Sequence, residues 1–424
     1  MQKAKVGVDL LIHSAAQLCT IADPGGPQRG QDLGDLAIIE DGALAVQDGR
    51  ILAVGTSTDL RARFHAQQEM DASGRCVIPG FVDPHTHLPW AGERAAEFEI
   101  RVGGATYMQI MQAGGGIMAT VGKTRRASLD QLVAENLPRL RTMLAHGTTT
   151  AECKTGYGLD TATELKQLDA ILALDAAQPV DLVPTFMPAH AVPAEYRGRT
   201  EDFIDLIVDQ ILPAGAAWAH QHDIRLFCDV FCEEGVFDVA QSRRVLERAV
   251  DLGYGLKVHA DEFVGIGGTG LAVEMGAISA DHLVETPYAD IMALGQGKTI
   301  AVGLPQTPFG LGQTKFTPAQ AILEAGGALA LATDINPGGA WGESMQMVMA
   351  IACRYMGLTP AQALVASTLN AAHAIGRGET VGSLSPGKQA DFLILSADDY
   401  RHLGYRFGTN LVDVVVKRGG VVRG

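Results

Sequence analysis

The feature that most constrains this chain is a repeated unit: apolar residues at helical spacing, then a glycine, then at once an apolar strand. Residues 129–146 carry the helical spacing, Gly147 stops it, and 148–153 follows as a strand. The same order recurs as 241–252, Gly253 and 256–259, as 271–275, Gly276 and 277–280, and as 319–325, Gly326 and 328–332. Helix–glycine–strand repetition builds a parallel sheet covered by helices. Counting from Cys76 predicts eight strands, at 76–82, 148–153, 180–187, 225–231, 255–259, 277–280, 299–304 and 328–332. Eight strands at this spacing predict an α/β chain closed as a (β/α)8 TIM barrel rather than an open sheet.

The two ends lack this unit. Short apolar stretches at 36–40 and 43–46 are cut by Asp41-Gly42 and Asp48-Gly49, a strand-and-turn pattern. After a last helix at 360–376 the tail returns to strands at 392–395 and 411–416. Residues 1–75 and 377–424 are therefore expected to form one small β-sandwich-like domain beside a catalytic barrel at 76–376.

Composition excludes several classes. A net charge of −15 disfavours nucleic acid as a partner, though local arginines still allow a small anionic substrate. The six cysteines are scattered without a Cys-x-x-Cys pair and read as reduced thiols. The opening MQKAKVGVDLL lacks a signal peptide's apolar core, and no run of about 18 apolar residues predicts a membrane span, so a cytoplasmic protein is expected.

In such a barrel the chemistry sits at the C-terminal ends of the strands. The first strand leads into Asp83-Pro84-His85-Thr86-His87. Residues two apart on extended chain point the same way, so His85 and His87 offer two imidazoles to one point. His259, Asp261 and Glu262 follow the fifth strand, His282 the sixth, and Asp334 with Asn336 the eighth. Three histidines and an aspartate suit one divalent metal, Zn²⁺ or Fe²⁺. Such an ion brings the pKa of a bound water near 7. Glu262, His282 and Asp334 are the residue types that then move protons. His190, after the third strand, is a candidate substrate contact; the remaining histidines read as structural.

Each element has a bland alternative. His-x-His is common by chance, His259 and His282 could be satisfied core histidines, and Asp334 could cap a helix. Their joint placement after strands one, five, six and eight is what packing and capping do not explain. Two motifs are set aside. Gly265-Ile266-Gly267-Gly268-Thr269-Gly270 has dinucleotide-loop spacing but follows a strand bearing His259 and Glu262, so it reads as a βα loop. Gly297-Lys298-Thr299 lacks the first glycine of a phosphate loop, since Met292 stands there. A second metal needs a bridging ligand from a middle strand. The fourth strand ends without a Lys; Glu233 could bridge in principle and Lys154, after the second strand, is a remote alternative, so one metal is favoured over two.

Pro79-Gly80-Phe81-Val82-Asp83-Pro84-His85-Thr86-His87 resembles the opening of the amidohydrolase superfamily, and Gly387-Lys388-Gln389-Ala390-Asp391 its closing β segment. Narrower motifs resemble the imidazolonepropionase family. They include Ala91-Gly92-Glu93-Arg94, Gly104-Ala105-Thr106-Tyr107, Lys154-Thr155-Gly156-Tyr157-Gly158-Leu159, Ala189-His190-Ala191-Val192-Pro193, His259-Ala260-Asp261-Glu262 and Ala332-Thr333-Asp334-Ile335-Asn336-Pro337-Gly338. The resemblance implies hydrolysis of the ring C–N bond of 4-imidazolone-5-propionate to N-formimino-L-glutamate in histidine degradation. It implies His85, His87, His259 and Asp334 as metal ligands. It implies Arg94 on the substrate carboxylate, Tyr107, Tyr157, His190 and Asn336 as further substrate contacts, Glu262 on a ring nitrogen, and His282 on the carbonyl or the attacking water. A homodimer is common among similar barrels. Two other readings share the frame: a mononuclear deaminase or cyclic amidohydrolase of another small heterocycle, and a paralogue that binds metal without turnover. Arg94 separates the first from a deaminase, which needs no carboxylate clamp.

Overall fold

The computed structural model describes residues 5–104 and 115–423. Eight parallel strands form one sheet: Phe81–Asp83, Thr148–Lys154, Asp181–Ala189, Phe227–Cys232, Gly255–Ala260, Ser279–His282, Ile300–Gly303 and Leu329–Leu331, each paired with the next in chain order. The last strand meets the first through the Thr86–Ile335 bridge and the bond from Asp334 N to His85 O at 3.1 Å, so the sheet curls into a nearly closed barrel. These strands are buried almost throughout because helices cover the outside and side chains fill the inside.

The glycine stops work as the sequence predicts. Leu129–Ala145 ends at Gly147 with φ +98°, a left-handed conformation that costs glycine least. A Cβ there would come within 2.6 Å of Leu393 and 3.0 Å of Phe81, so the turn also lets the barrel approach the end sheet. The expected last helix is two helices, Pro360–Ala366 and Leu369–Ala374. Between them the Ser367 carbonyl accepts the Val82 N–H at 3.0 Å, docking the break against the first barrel strand.

The chain ends build a second sheet. Val6–Cys19 pairs with Ile38–Gln47, Phe64–Asp71 and Cys76–Pro79, and the sheet continues through Phe392–Leu395, Val412–Lys417 and Gly420–Arg423. It is a single branched sheet with one apolar cluster around Leu10, Val46 and Phe392 and another around Val8, Leu11 and Phe64. The run expected as the first barrel strand is divided. Cys76–Pro79 belongs to the end sheet, and only Phe81–Asp83 enters the barrel. Gly80 makes the break: a Cβ there would lie 2.2 Å from the Thr149 hydroxyl.

Candidate metal centre and active site

His85 and His87 leave the first barrel strand on the same side, His259 sits on the fifth, and Asp334 follows the eighth. All are 3% exposed or less. His87 Nε2 lies 3.4 Å from His85 Nε2, 3.3 Å from His259 Nε2 and 3.2 Å from Asp334 Oδ1. The His85 ring donates from Nδ1 to Asp281 at 2.6 Å, and the His259 ring from Nδ1 to Asp229 at 3.0 Å. With those protons committed, each Nε2 carries a lone pair, and the lone pairs face one another and the Asp334 carboxylate. Burial holds both imidazoles well below their ordinary pKa, so they stay neutral, as metal ligands must. Asp334 Oδ1 is buried with no hydrogen-bond donor. His87 Nδ1 has no protein acceptor, so its Nε2 is free to carry either a proton toward Asp334 or a lone pair toward an ion. The separations within the cluster match the edge of a tetrahedron with metal–nitrogen bonds of about 2.0–2.1 Å. The donor set fits a divalent ion.

Beneath it lies a charged layer that the sequence reading missed. Lys154 Nζ reaches Asp229 at 2.7 Å and Glu152 at 2.8 Å, and Lys257 Nζ reaches Glu152 at 3.4 Å and Asp281 at 3.6 Å. All five side chains are fully buried. Asp229 and Asp281 fix the tautomer and tilt of two histidines, and the lysines hold those carboxylates in turn.

A cavity of about 420 Å³ opens on this cluster, lined by His87, His259, Asp334, Arg94, Tyr157, His190, Glu262, His282 and Asn336 among others. His282 Nδ1 lies 3.7 Å from Glu262 Oε1, and its Nε2 has no protein partner. Burial depresses His282 to about 4. It raises Glu262 well above the usual carboxylate range, with Asp334 and Glu233 adding repulsion. His190 stacks on His87 with centroids 4.8 Å apart, and its Nδ1–H bonds the Gly156 carbonyl at 2.9 Å. Burial lowers it to about 3. Asp261, His282 and Asp334 all have positive φ, at +52°, +78° and +54°, strain of the kind found where strand ends turn functional side chains.

Some residues do less, or more, than the sequence reading expects. Asn336 spends its side chain on its own loop, accepting from Gly338 N and Gly339 N at 2.8 Å and donating to Asp334 O at 2.7 Å. Arg94 lines the cavity and also pairs with Glu97, through Nε at 2.8 Å and through Nη2. Its Nη1 edge faces Gly338, where a Cβ would stand 2.7 Å away. Tyr107 lies outside the described residues. Arg101 and Thr307 join the lining; Thr307 donates to Asp334 Oδ2 at 2.5 Å. Trp90 and Trp341 pack edge to face at 5.2 Å, with the Arg139 guanidinium 3.9 and 5.0 Å from their rings.

The model of the amidohydrolase family matches residues 76–422, and that of the imidazolonepropionase-like composite domain of bacteria matches 42–66. An imidazolonepropionase of Herpetosiphon aurantiacus is 56% identical over 98% of this chain and 97% of its own length. One of Chloroflexus aggregans is 55% identical over 98% of each. The chain belongs to the imidazolonepropionases of the amidohydrolase family. Solved structures give the same fold at greater distance. A Xanthomonas campestris adenosine deaminase with bound zinc has a TM-score of 0.71 at 21% identity, covering 99% of this chain and 94% of its own. A triazine hydrolase variant has a TM-score of 0.76 at 17% identity, covering 98% and 94%. Among the described residues no helix is long and apolar enough to cross a membrane.

Proposed function

We propose that this enzyme opens the ring of 4-imidazolone-5-propionate by hydrolysing a ring C–N bond, giving N-formimino-L-glutamate in histidine degradation. The observation that carries the reading is one cavity lined by both the His/Asp cluster and a guanidinium, Arg94. One cation, Zn²⁺ or Fe²⁺, held by His85, His87, His259 and Asp334, would supply an acidified water and a Lewis-acid contact for the carbonyl. The two side chains that could bridge a second ion are otherwise engaged. Lys154 sits among Glu152 and Asp229, and Glu233 accepts backbone N–H groups.

The chain's own residues account for orientation and protons. Arg94 offers its Nη1 edge to the propionate, where a guanidinium gains from charge-assisted bonds. Tyr157 and His190 border the ring, and the committed Nδ1–H of His190 leaves Nε2 as an acceptor. Glu262, whose carboxyl burial and acidic neighbours push well above the usual carboxylate range, is suited to give a proton to the leaving ring nitrogen. His282, neutral at pH 7 with a free Nε2, is suited to take one from water or to polarise the carbonyl. Asp334, held below the usual carboxylate range, is ionised.

The test is turnover of freshly generated imidazolone propionate by metal-stripped and metal-restored protein, with product analysis. Formiminoglutamate formed only by the restored protein is expected. Ammonia release from another heterocycle with no ring opening of this one would reassign the enzyme as a deaminase.

A further inference from the structure

Glu233 follows the fourth barrel strand, and its side chain is buried at 2% exposure beside the cavity without lining it. Both carboxylate oxygens are engaged by backbone. Oε2 accepts the N–H groups of Glu262 and Phe263, each at 3.0 Å, and Oε1 accepts those of Val264 at 2.9 Å and Glu234 at 3.1 Å. Three consecutive amides of the loop after the fifth strand thus converge on one carboxylate from the neighbouring strand.

Packing does not explain the conformation of the loop's first part. Phe263 is 47% exposed and Val264 39%, so no apolar anchor holds residues 262–264; Ile266, beyond them, packs against the core. The loop's far side is fixed by a second carboxylate: Asp261 accepts the amides of Ile266, Gly267, Gly268 and Thr269 at 3.1–3.2 Å. Glu262 opens the segment that Glu233 holds, directly after Asp261, and its carboxyl is aimed at His282.

We infer that Glu233 is a positioning residue for Glu262: its grip on the amides of residues 262–264 places the Glu262 carboxyl against His282 and the substrate ring. The inference rests on the proposed role of Glu262 in turnover. A carboxamide cannot do the same work. Glu233→Gln replaces one acceptor oxygen with an N–H₂ group that meets backbone N–H groups head on, leaving the two amides on that side without their acceptor. The loop shifts, and a displacement near 1 Å of a proton-transfer group costs about 100-fold in rate.

The experiment is a double-mutant cycle on the metal-loaded enzyme with wild type, Glu233→Gln, Glu262→Gln and both together. The expected result is a kcat loss of about 100-fold for Glu233→Gln with KM little changed, and no further loss when it is added to Glu262→Gln. A purely structural role would lower activity by the same factor in both backgrounds, and that result overturns the inference while leaving the role of Glu262 intact. A Glu262→Gln enzyme at full speed would remove the role of Glu262 and this inference with it. Backbone amide exchange in the wild-type enzyme gives a reading that needs no folded variant. The amides of Phe263 and Val264, exposed loop residues, are expected to exchange slowly; exchange at the rate of an unstructured loop overturns the proposal.

Discussion

Lys154→Met removes a cation from the centre of the buried layer under the histidines. The ammonium lies 2.7 Å from Asp229, 2.8 Å from Glu152 and 3.8 Å from Asp281, and all four side chains have zero exposure. Lys257 is the other cation in contact with this group. Three carboxylates facing two ammonium groups become three facing one, so the layer's excess of negative charge doubles. Stripping one partner from a buried pair costs about 3–5 kcal/mol, because the surviving charge has neither water nor counter-ion. Asp229→Asn added to Lys154→Met removes that uncompensated charge and is expected to recover part of the loss, with a coupling of about 1–3 kcal/mol. A bound dication offsets the excess, so the loss is larger in metal-free than in metal-loaded protein. Urea unfolding of the four proteins, stripped and loaded, is the assay. A single mutant within about 0.5 kcal/mol of wild type, the range of ordinary surface changes, would refute the ion-layer account.

Asp281→Asn removes the acceptor at His85 Nδ1 and is expected to weaken metal binding about 10–100-fold, measured by competition with a chelating dye. Arg94→Met is expected to lower kcat/KM for the propionate substrate roughly 10–100-fold, the worth of a charge-assisted hydrogen bond, while binding of an analogue without the carboxylate stays unchanged. The metal-free protein is expected to lose stability on acidification. His190 and His282 have folded pKa values of about 3 and about 4, below the unfolded value, so their stabilisation is complete above pH 6.5 and is lost as pH falls toward the folded values. Each contributes a loss of roughly 2 kcal/mol between pH 6.5 and 5, readable as a falling urea midpoint; a flat midpoint would count against neutral burial.

Much of the barrel was legible because glycine stops and apolar strands are local signals. His85, His87, His259, His282 and Asp334 were legible because strand ends are where such barrels place chemistry. The ion layer was missed although a trace of it stands in the sequence. Glu152 with Lys154, and Lys257 with His259, are pairs two apart on buried strands, so each pair shares one face. A charge on a fully buried strand demands a partner, but which strand supplies it is a property of barrel closure, not of spacing. The same holds for Glu233, whose partners are backbone amides on the next strand's loop and leave no mark in residue type. The division at Gly80 was hidden because Cys76–Pro79 and Phe81–Asp83 are equally apolar, and only the pairing partners distinguish them.

In the proposed mechanism a single cation at the His85–His87–His259–Asp334 cluster makes this protein a catalyst. Titrating stripped protein with Zn²⁺ or Fe²⁺ while following imidazolone propionate turnover addresses it directly. Activity should rise from background and stop rising at one equivalent per chain, and a His87→Ala protein should show neither the uptake nor the rise. Full turnover by the stripped protein, or a break at two equivalents, would contradict the claim.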